Sequence, residues 1–347
     1  VGVVDADYEV TPDWLSDLVP HFLDDKVAVV QAPQAHRDWE NNFFRRMSNW
    51  EFEGFFRIGM HHRHERNALI QHGTMTLVRY EPLMAHGQWS EWCICEDTEL
   101  GLRLLENGYE LRYVDDTFGR GLTPADFKAL KSQRFRWAFG AMQILKHHFK
   151  HLIGDSTLTF GQRYHFLTGW FGWLGDALQL IFTIGSIAWS IAMLAFPTAF
   201  SLPVRIMIMP ILCFLAIKAA LGPVLYRKTM KHCGWMDIFG ASLASLGLSH
   251  AIARGVMMGL IKKDGVFKVT AKGKVLNLNK FEILKPIIEE VSLLTALLIC
   301  GLAMLVTRGF TNIDAQLWVA MLMLQALPYA SALACQIIAQ RPDTPSK

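Results

Sequence analysis

Two acidic residues near the start of the chain, in Val3-Val4-Asp5-Ala6-Asp7, are the first that could do chemistry. In an extended segment, residues i and i+2 point to the same side. Asp5 and Asp7 can then share one hard divalent cation, Mg²⁺ or Mn²⁺, with diphosphate oxygens completing its shell. Such a cation offsets charge that builds on a departing diphosphate. The same spacing also occurs where a strand merely ends in a loop. A second acidic pair, Glu96-Asp97, stands where a helix is expected to begin. There Asp97 suits either an N-cap or a general base, which has to be ionised and still hold a proton well. The helix dipole lowers its pKa, whereas Glu96 or a bound diphosphate raises it. Third, Gln133, Arg136 and Trp137 fall at i, i+3 and i+4 and share one helix face. The arginine fork binds phosphate oxygens, the indole offers a flat surface to a sugar ring, and the amide reaches hydroxyls. A plain anchor at lipid headgroups uses the same residue types.

Elements to position these groups can be read around them. Gly2–Val4 reads as a strand, followed by a helix that Thr11 can cap with Pro12 in its first turn. Val27–Gln31 and Glu110–Val114 read as strands, and Leu69–Val78 as a strand broken by Gly73. Asp97–Asn107 reads as a helix closed by Gly108. Strands alternating with helices predict an open α/β sheet. Pro124–Lys150 reads as an amphipathic helix lying in a membrane interface, with Phe127, Leu130, Arg134, Trp137, Ala141, Met142 and Leu145 along one stripe. The first residues already resemble a strand interior and no initiator Met precedes them, so the chain is expected to be a fragment cut just before its first motif.

Composition adds a membrane. Of 347 residues, 52% are hydrophobic and 19% charged, which is too apolar for an average soluble domain. The excess lies after about Phe166. Spans are expected at about 166–196, 206–226, 291–306 and 316–339, since ~20 residues cross the ~30 Å hydrocarbon layer. The apolar stretch 235–261 is broken by Asp237, His250 and Arg254, and reads as an interface helix with a further span as the alternative. The basic loop 227–290 places itself and the N-terminal domain on the cytoplasmic side. A net charge of +3, clustered beside the spans, argues against nucleic-acid binding. The six cysteines are scattered and read as reduced thiols, with Cys93 and Cys95 as packing residues. His61, His62, His64 and Glu65 read as a basic surface segment, and the aromatics from Trp39 to Phe56 as packing.

The order Asp-x-Asp, Glu-Asp, Gln-x-x-Arg-Trp resembles the membrane-embedded family 2 glycosyltransferases of the cellulose synthase-like group. Phe267-Lys268-Val269-Thr270-Ala271-Lys272 resembles the gating loop of that group, and Gln71-His72-Gly73-Thr74 falls where its acceptor-contact stretch lies. The resemblance implies a GT-A-type α/β domain, N-terminally truncated (1–123), interface helices at 124–165, and a transmembrane domain at 166–347 with a gating loop at 262–276. It implies Asp97 as the base and Asp5 and Asp7 on the metal. It gives Gln133, Arg136, Trp137, Gly73 and Thr74 to the acceptor and diphosphate, and Phe267, Val269, Thr270 and Lys272 to gating. The implied activity is processive β-glycosyl transfer, with UDP-glucose as default donor and UDP-N-acetylglucosamine or GDP-mannose open. The implied acceptor is a polysaccharide that leaves past residues such as Trp170, Trp173 and Asp176. The setting would be the inner (plasma) membrane, multi-pass, in the lipid bilayer, with further partners in export or regulation and no nucleic acid. The alternatives are a non-processive enzyme glycosylating a lipid-linked acceptor, and a transporter whose cytosolic domain senses nucleotides.

Overall fold

The computed structural model describes residues 1–154, 156–203, 205–230, 232–262, 265 and 283–341. Its N-terminal part holds seven short strands: β1 (Gly2–Val3), β2 (Glu9–Val10), β3 (Val27–Gln31), β4 (Ala35–Arg37), β5 (Thr76–Val78), β6 (Glu110–Tyr113) and β7 (Gly119–Leu122). They form a four-stranded sheet ordered β1-β5-β3-β6 and a three-stranded sheet ordered β2-β7-β4. The sheets are mixed: β3 runs parallel to β6 but antiparallel to β5. All five residues of β3 are buried, as a strand covered on both faces requires. The helices of this part are α1 (Trp14–Leu18), α2 (Phe43–Gly54), α3 (His61–His64), α4 (Tyr80–Ala85) and α5 (Glu96–Glu106). The helical part follows: α6 (Phe127–Ile153), α7 (Phe160–Ala195), α8 (Arg205–Thr229), α9 (Trp235–Ile261), α10 (Ile288–Arg308) and α11 (Ile313–Ala339).

Several local expectations shift. The Asp-x-Asp segment is a turn, closed by the Tyr8 N–H on the Asp5 carbonyl at 3.0 Å. Thr11 does not cap α1; Asp13 precedes the helix, without a side-chain cap. Of the strand expected over 69–78, only Thr76–Val78 pairs, because Met75 takes a left-handed conformation (φ 55°) that breaks the extended run. Asp97 is not the N-cap of α5. That position falls to Cys95, and Asp97 lies in the first turn. Gly108 does close α5, with φ 85°.

The long helices start where short polar side chains cap them. Asp126 Oδ1 accepts the Ala129 N–H at 2.7 Å at the start of α6. Thr159 and Gln162 form a reciprocal capping box on α7. Asn312 caps α11. Helix α6 is more enclosed than an interface helix would be: residues 138–145 are all buried. One reason is α9, which meets it through glycine. A β-carbon at Gly255 would stand 2.6 Å from the Phe135 carbonyl, and one at Gly259 2.7 Å from that of Phe139. Small residues four apart allow such backbone approach. Lys131 of α6 pairs with buried Glu290 of α10, and Asp237 of α9 pairs with Arg46 of α2. The sheet domain and the helical half are therefore joined by packing and by charge.

Among the described residues, four helical stretches are long and apolar enough to cross a membrane: α7, α9, Lys285–Arg308 (which includes α10) and α11. The expected segments 166–196, 206–226, 291–306 and 316–339 fall almost wholly within α7, α8, α10 and α11. Helix α9, expected in the interface, has the length and hydropathy of a span as well.

Candidate active site

The site begins at the turn after β1. The Asp5 N–H donates to Thr74 Oγ1 at 2.9 Å, which ties the acidic turn to the loop before β5. Asp7 reaches the other sheet, where its Oδ2 accepts the Leu122 N–H of β7 at 2.8 Å. Burial pushes the Tyr8 phenol above its ordinary range, and the charges of Asp5, Asp7 and Glu53 push it further. Both carboxylates thus act on one phenol, so the turn gathers them although the strand alternation expected to do so is absent.

Thr74 belongs to a loop held from below. The buried Gln31 amide donates to the Ile70 carbonyl at 3.1 Å and accepts the His72 N–H at 3.2 Å. The Thr98 hydroxyl donates to the Gln71 carbonyl at 3.1 Å, which attaches the loop to the first turn of α5. Gly73 is the point of closest approach. A β-carbon there would lie 3.1 Å from Asp97 Oδ2, so a larger residue would crowd that carboxyl.

Asp97 Oδ1 accepts the Thr98 N–H at 2.7 Å. Burial, and then the charge of Glu96, push the carboxyl up to about 7, against backbone hydrogen bonds that favour its ionised form. A carboxylate so tuned is ionised near neutral pH yet takes a proton readily, the property a general base needs. Arg136 faces the same place. Burial holds its guanidinium below the usual arginine range, while Cys95, Glu96, Asp97 and Asp5 pull it back up.

Helix α6 packs against the segment leading into α5 through a close contact. Gly140 lies against the Cys95 side chain, which occupies the volume a β-carbon would fill. Gln143 accepts the Ile94 N–H and donates to the Trp92 carbonyl, both at 3.2 Å. Cys93 and Cys95 are accordingly packing residues. Gly140 and Gln143 went unnoticed as positioning residues in the sequence. The signal available was a glycine inside a helix, where it is unfavourable by ~1 kcal/mol unless something approaches closely.

Trp137 and Gln133 form a neighbouring wall. The Trp137 ring is 6.0 Å from Phe52, and the Arg134 guanidinium sits 4.3 Å from the indole centroid. Arg134, buried as its place on the apolar stripe predicts, pairs with Glu51. Gln133 Oε1 lies 3.5 Å from Arg134 Nη1. After α2 the chain makes a π-helical turn over Phe55–Met60, which brings Phe55 and Phe56 within 5.3 and 4.9 Å of the His72 ring. Burial and the Arg63 charge push His72 down to about 3, so it is neutral. The structure thus brings Asp5, Gly73, Thr74, Asp97 and Arg136 together, with Asp7 beside them and Trp137 and Gln133 along the adjoining helix face. Phe267, Val269, Thr270 and Lys272 lie outside the described residues.

Asp5 and Asp7, two residues apart on one turn, offer oxygen alone, the donor type that a hard cation takes. Two histidines of α3 are engaged elsewhere. His61 Nε2 meets Asp115 at 2.6 Å, and His64 Nδ1 accepts the Tyr113 N–H at 3.4 Å.

Comparison with known proteins identifies a family. Residues 1–215 match the family model described as glycosyl transferase family group 2. Over 173 residues, 49% of this chain and 31% of the relative, the chain is 26% identical to "Glucomannan 4-beta-mannosyltransferase 7" of Arabidopsis thaliana. It is 25% identical over 173 residues to "Probable glucomannan 4-beta-mannosyltransferase 2" of Oryza sativa subsp. japonica, again 49% of this chain and 30% of the relative. It is 32% identical over 156 residues to the UDP-forming catalytic polypeptide of a cellulose synthase from Dictyostelium discoideum, 42% of this chain and 14% of the relative. The match therefore spans less than a third of the length of these relatives.

Proposed function

This chain belongs to glycosyl transferase family group 2, and from that premise we propose that it extends a β-linked polysaccharide at the cytoplasmic face of the inner membrane. It is a glycosyltransferase related to cellulose synthase and glucomannan mannosyltransferases, with four helices among the described residues able to span a membrane. Enzymes of this group generally use a divalent metal. The observation that carries the proposal is the meeting of Asp97, raised to about 7, with Arg136 and the Asp5 turn.

In the proposed reaction an acceptor hydroxyl gives its proton to Asp97. Its oxygen bonds to the anomeric carbon from the side opposite the diphosphate. The carbon–oxygen bond to the diphosphate breaks, and the electron pair leaves with the nucleotide. One displacement of this kind turns an α-linked donor into a β-linked product. Arg136 faces the charge that develops, held in a partly desolvated place where its attraction is strengthened. Asp5 and Asp7 would hold Mg²⁺ or Mn²⁺, which supplies charge neutralisation at the diphosphate. Trp137 offers its ring to the acceptor sugar, and Gln133 its amide. Gly73 and Thr74 shape the acceptor side; Phe267, Val269, Thr270 and Lys272, outside the described residues, keep the gating role that the family resemblance implies for them. The helical half carries the product outward past Trp173 and Asp176.

The test uses membranes containing the full-length protein, supplied with UDP-glucose, GDP-mannose or UDP-N-acetylglucosamine and with Mg²⁺ or Mn²⁺. The expected product, by linkage analysis, is a β-linked chain of many units, made with UDP-glucose. A single sugar on a lipid would replace the polymer reading with the lipid-acceptor one. Nucleotide-sugar binding without turnover would leave a sensor and remove the enzyme.

A further inference from the structure

We propose that Glu106, His148 and His151 form a second metal site, for Zn²⁺ or a similar borderline cation, which ties the end of α5 to α6. Their donor atoms lie within 4.8 Å of one another. His148 and His151 stand at i and i+3 on α6 and so share a face. Both direct Nδ1 at the same carboxylate oxygen, Glu106 Oε1, at 3.0 and 3.2 Å. Zinc holds nitrogen and oxygen at ~2.0–2.2 Å in tetrahedral geometry, which places its ligands about 3.3 Å apart. The two histidine–carboxylate separations are therefore already near the edge lengths of such a shell, and the third lies within 4.8 Å. Two imidazoles and a carboxylate suit zinc better than Mg²⁺.

The second observation is behind the ring. His148 is buried, and its far nitrogen, Nε2, lies 3.3 Å from Glu99 Oε1. Glu99 is itself fixed by Arg103 at 2.8 and 3.0 Å and by the Ser90 hydroxyl. A carboxylate behind a histidine ring is the arrangement that orients a metal-binding imidazole. His151 is 59% exposed at its side chain, so the site opens to solvent, where a water can complete the shell. The site lies at the far end of α5 from Asp97, about 14 Å along the helix. Its donors are distinct from the Asp5–Asp7 oxygens. A cation there would stiffen the pairing of the helix that carries Asp97 with the helix that carries Arg136.

The chain, purified in detergent and stripped with a chelator, is titrated with Co²⁺ as a spectroscopic probe and then competed with Zn²⁺. Saturable visible bands of tetrahedral Co²⁺ are expected, bleached by Zn²⁺. The exposed change His151→Ala should weaken binding by at least ~100-fold, beyond what loss of an orienting partner causes. Glu99→Gln should weaken it ~10–100-fold, and His147→Ala should leave it unchanged. Zn²⁺ should raise the unfolding midpoint of the parent but not of His151→Ala. Absence of saturable tetrahedral Co²⁺ bands, or identical titrations of parent and His151→Ala, would overturn the proposal.

Discussion

Asp97 and Glu99 stand two residues apart on α5, and their surroundings treat them in opposite ways. Asp97 faces Gly73, has Glu96 beside it, and is pushed up to about 7. Glu99 faces the interior at 1% exposure. Burial works to raise it too, but contacts from His148, Arg103 and Ser90 win and hold it down at about 2. Burial is common to both. What differs is which groups bond the carboxyl: Asp97 accepts from backbone N–H groups and holds a proton near neutral pH, whereas Glu99, bonded by His148, Arg103 and Ser90, stays charged and joins helices. Helical rotation makes the difference, since residues two apart do not share a face.

The largest expected contrast is between the two amides. Asp97→Asn should lower transfer by about 10²–10⁴-fold, the range for loss of a general base, while the unfolding midpoint stays put. Glu99→Gln should do the reverse. It leaves half-buried Arg103 and buried His148 without this carboxylate, a change that costs about 3–5 kcal/mol, while the folded fraction keeps its specific activity. Radiolabelled product and thermal unfolding in detergent measure the two. Should Asp97→Asn destabilise and retain activity, the contrast would collapse.

Next in size is Gly140→Val, which puts a side chain where Cys95 lies. Moving α6 away from Asp97 should cost about 10–100-fold in kcat, because small misplacements of catalytic groups are costly. Cys95→Ala in the same chain should restore part of the loss. No recovery would mean that this contact does not set the distance.

The smallest effect sharpens the electrostatic account. Asp97 works ionised, so kcat/KM should be full above about 7 and fall as pH drops through that value. Glu96→Gln removes a like charge, favours ionised Asp97, and should move this acid limb to lower pH. A limb that stays in place would assign the raised value to burial alone.

Much of the architecture was legible in the chain. Val27–Gln31, the helix ended by Gly108 and the long apolar helices carry strong local signals, because periodicity and a left-handed glycine depend on neighbours in sequence. The acidic turn was harder. Asp-x-Asp reads as extended, and contacts with Thr74, Leu122 and Arg37, from far along the chain, help bend and hold it. Asp97 was open between cap and base, since the choice depends on whether its oxygens turn back to the helix end or toward Gly73. Arg134 shows the same limit: its place on an apolar stripe foretold burial, but its partner Glu51 lies on another helix.

Sequence by itself determined residue type and local spacing: which carboxylates, which arginines, and which stretches are apolar enough to enter a membrane. Tertiary structure alone decided which of those charges meet. Coulomb attraction and desolvation depend on distance and burial through space, and residues about seventy to a hundred and thirty apart in the chain, such as Thr74 with Asp5 and Arg136 with Asp5, acquire their roles only when folding closes that separation.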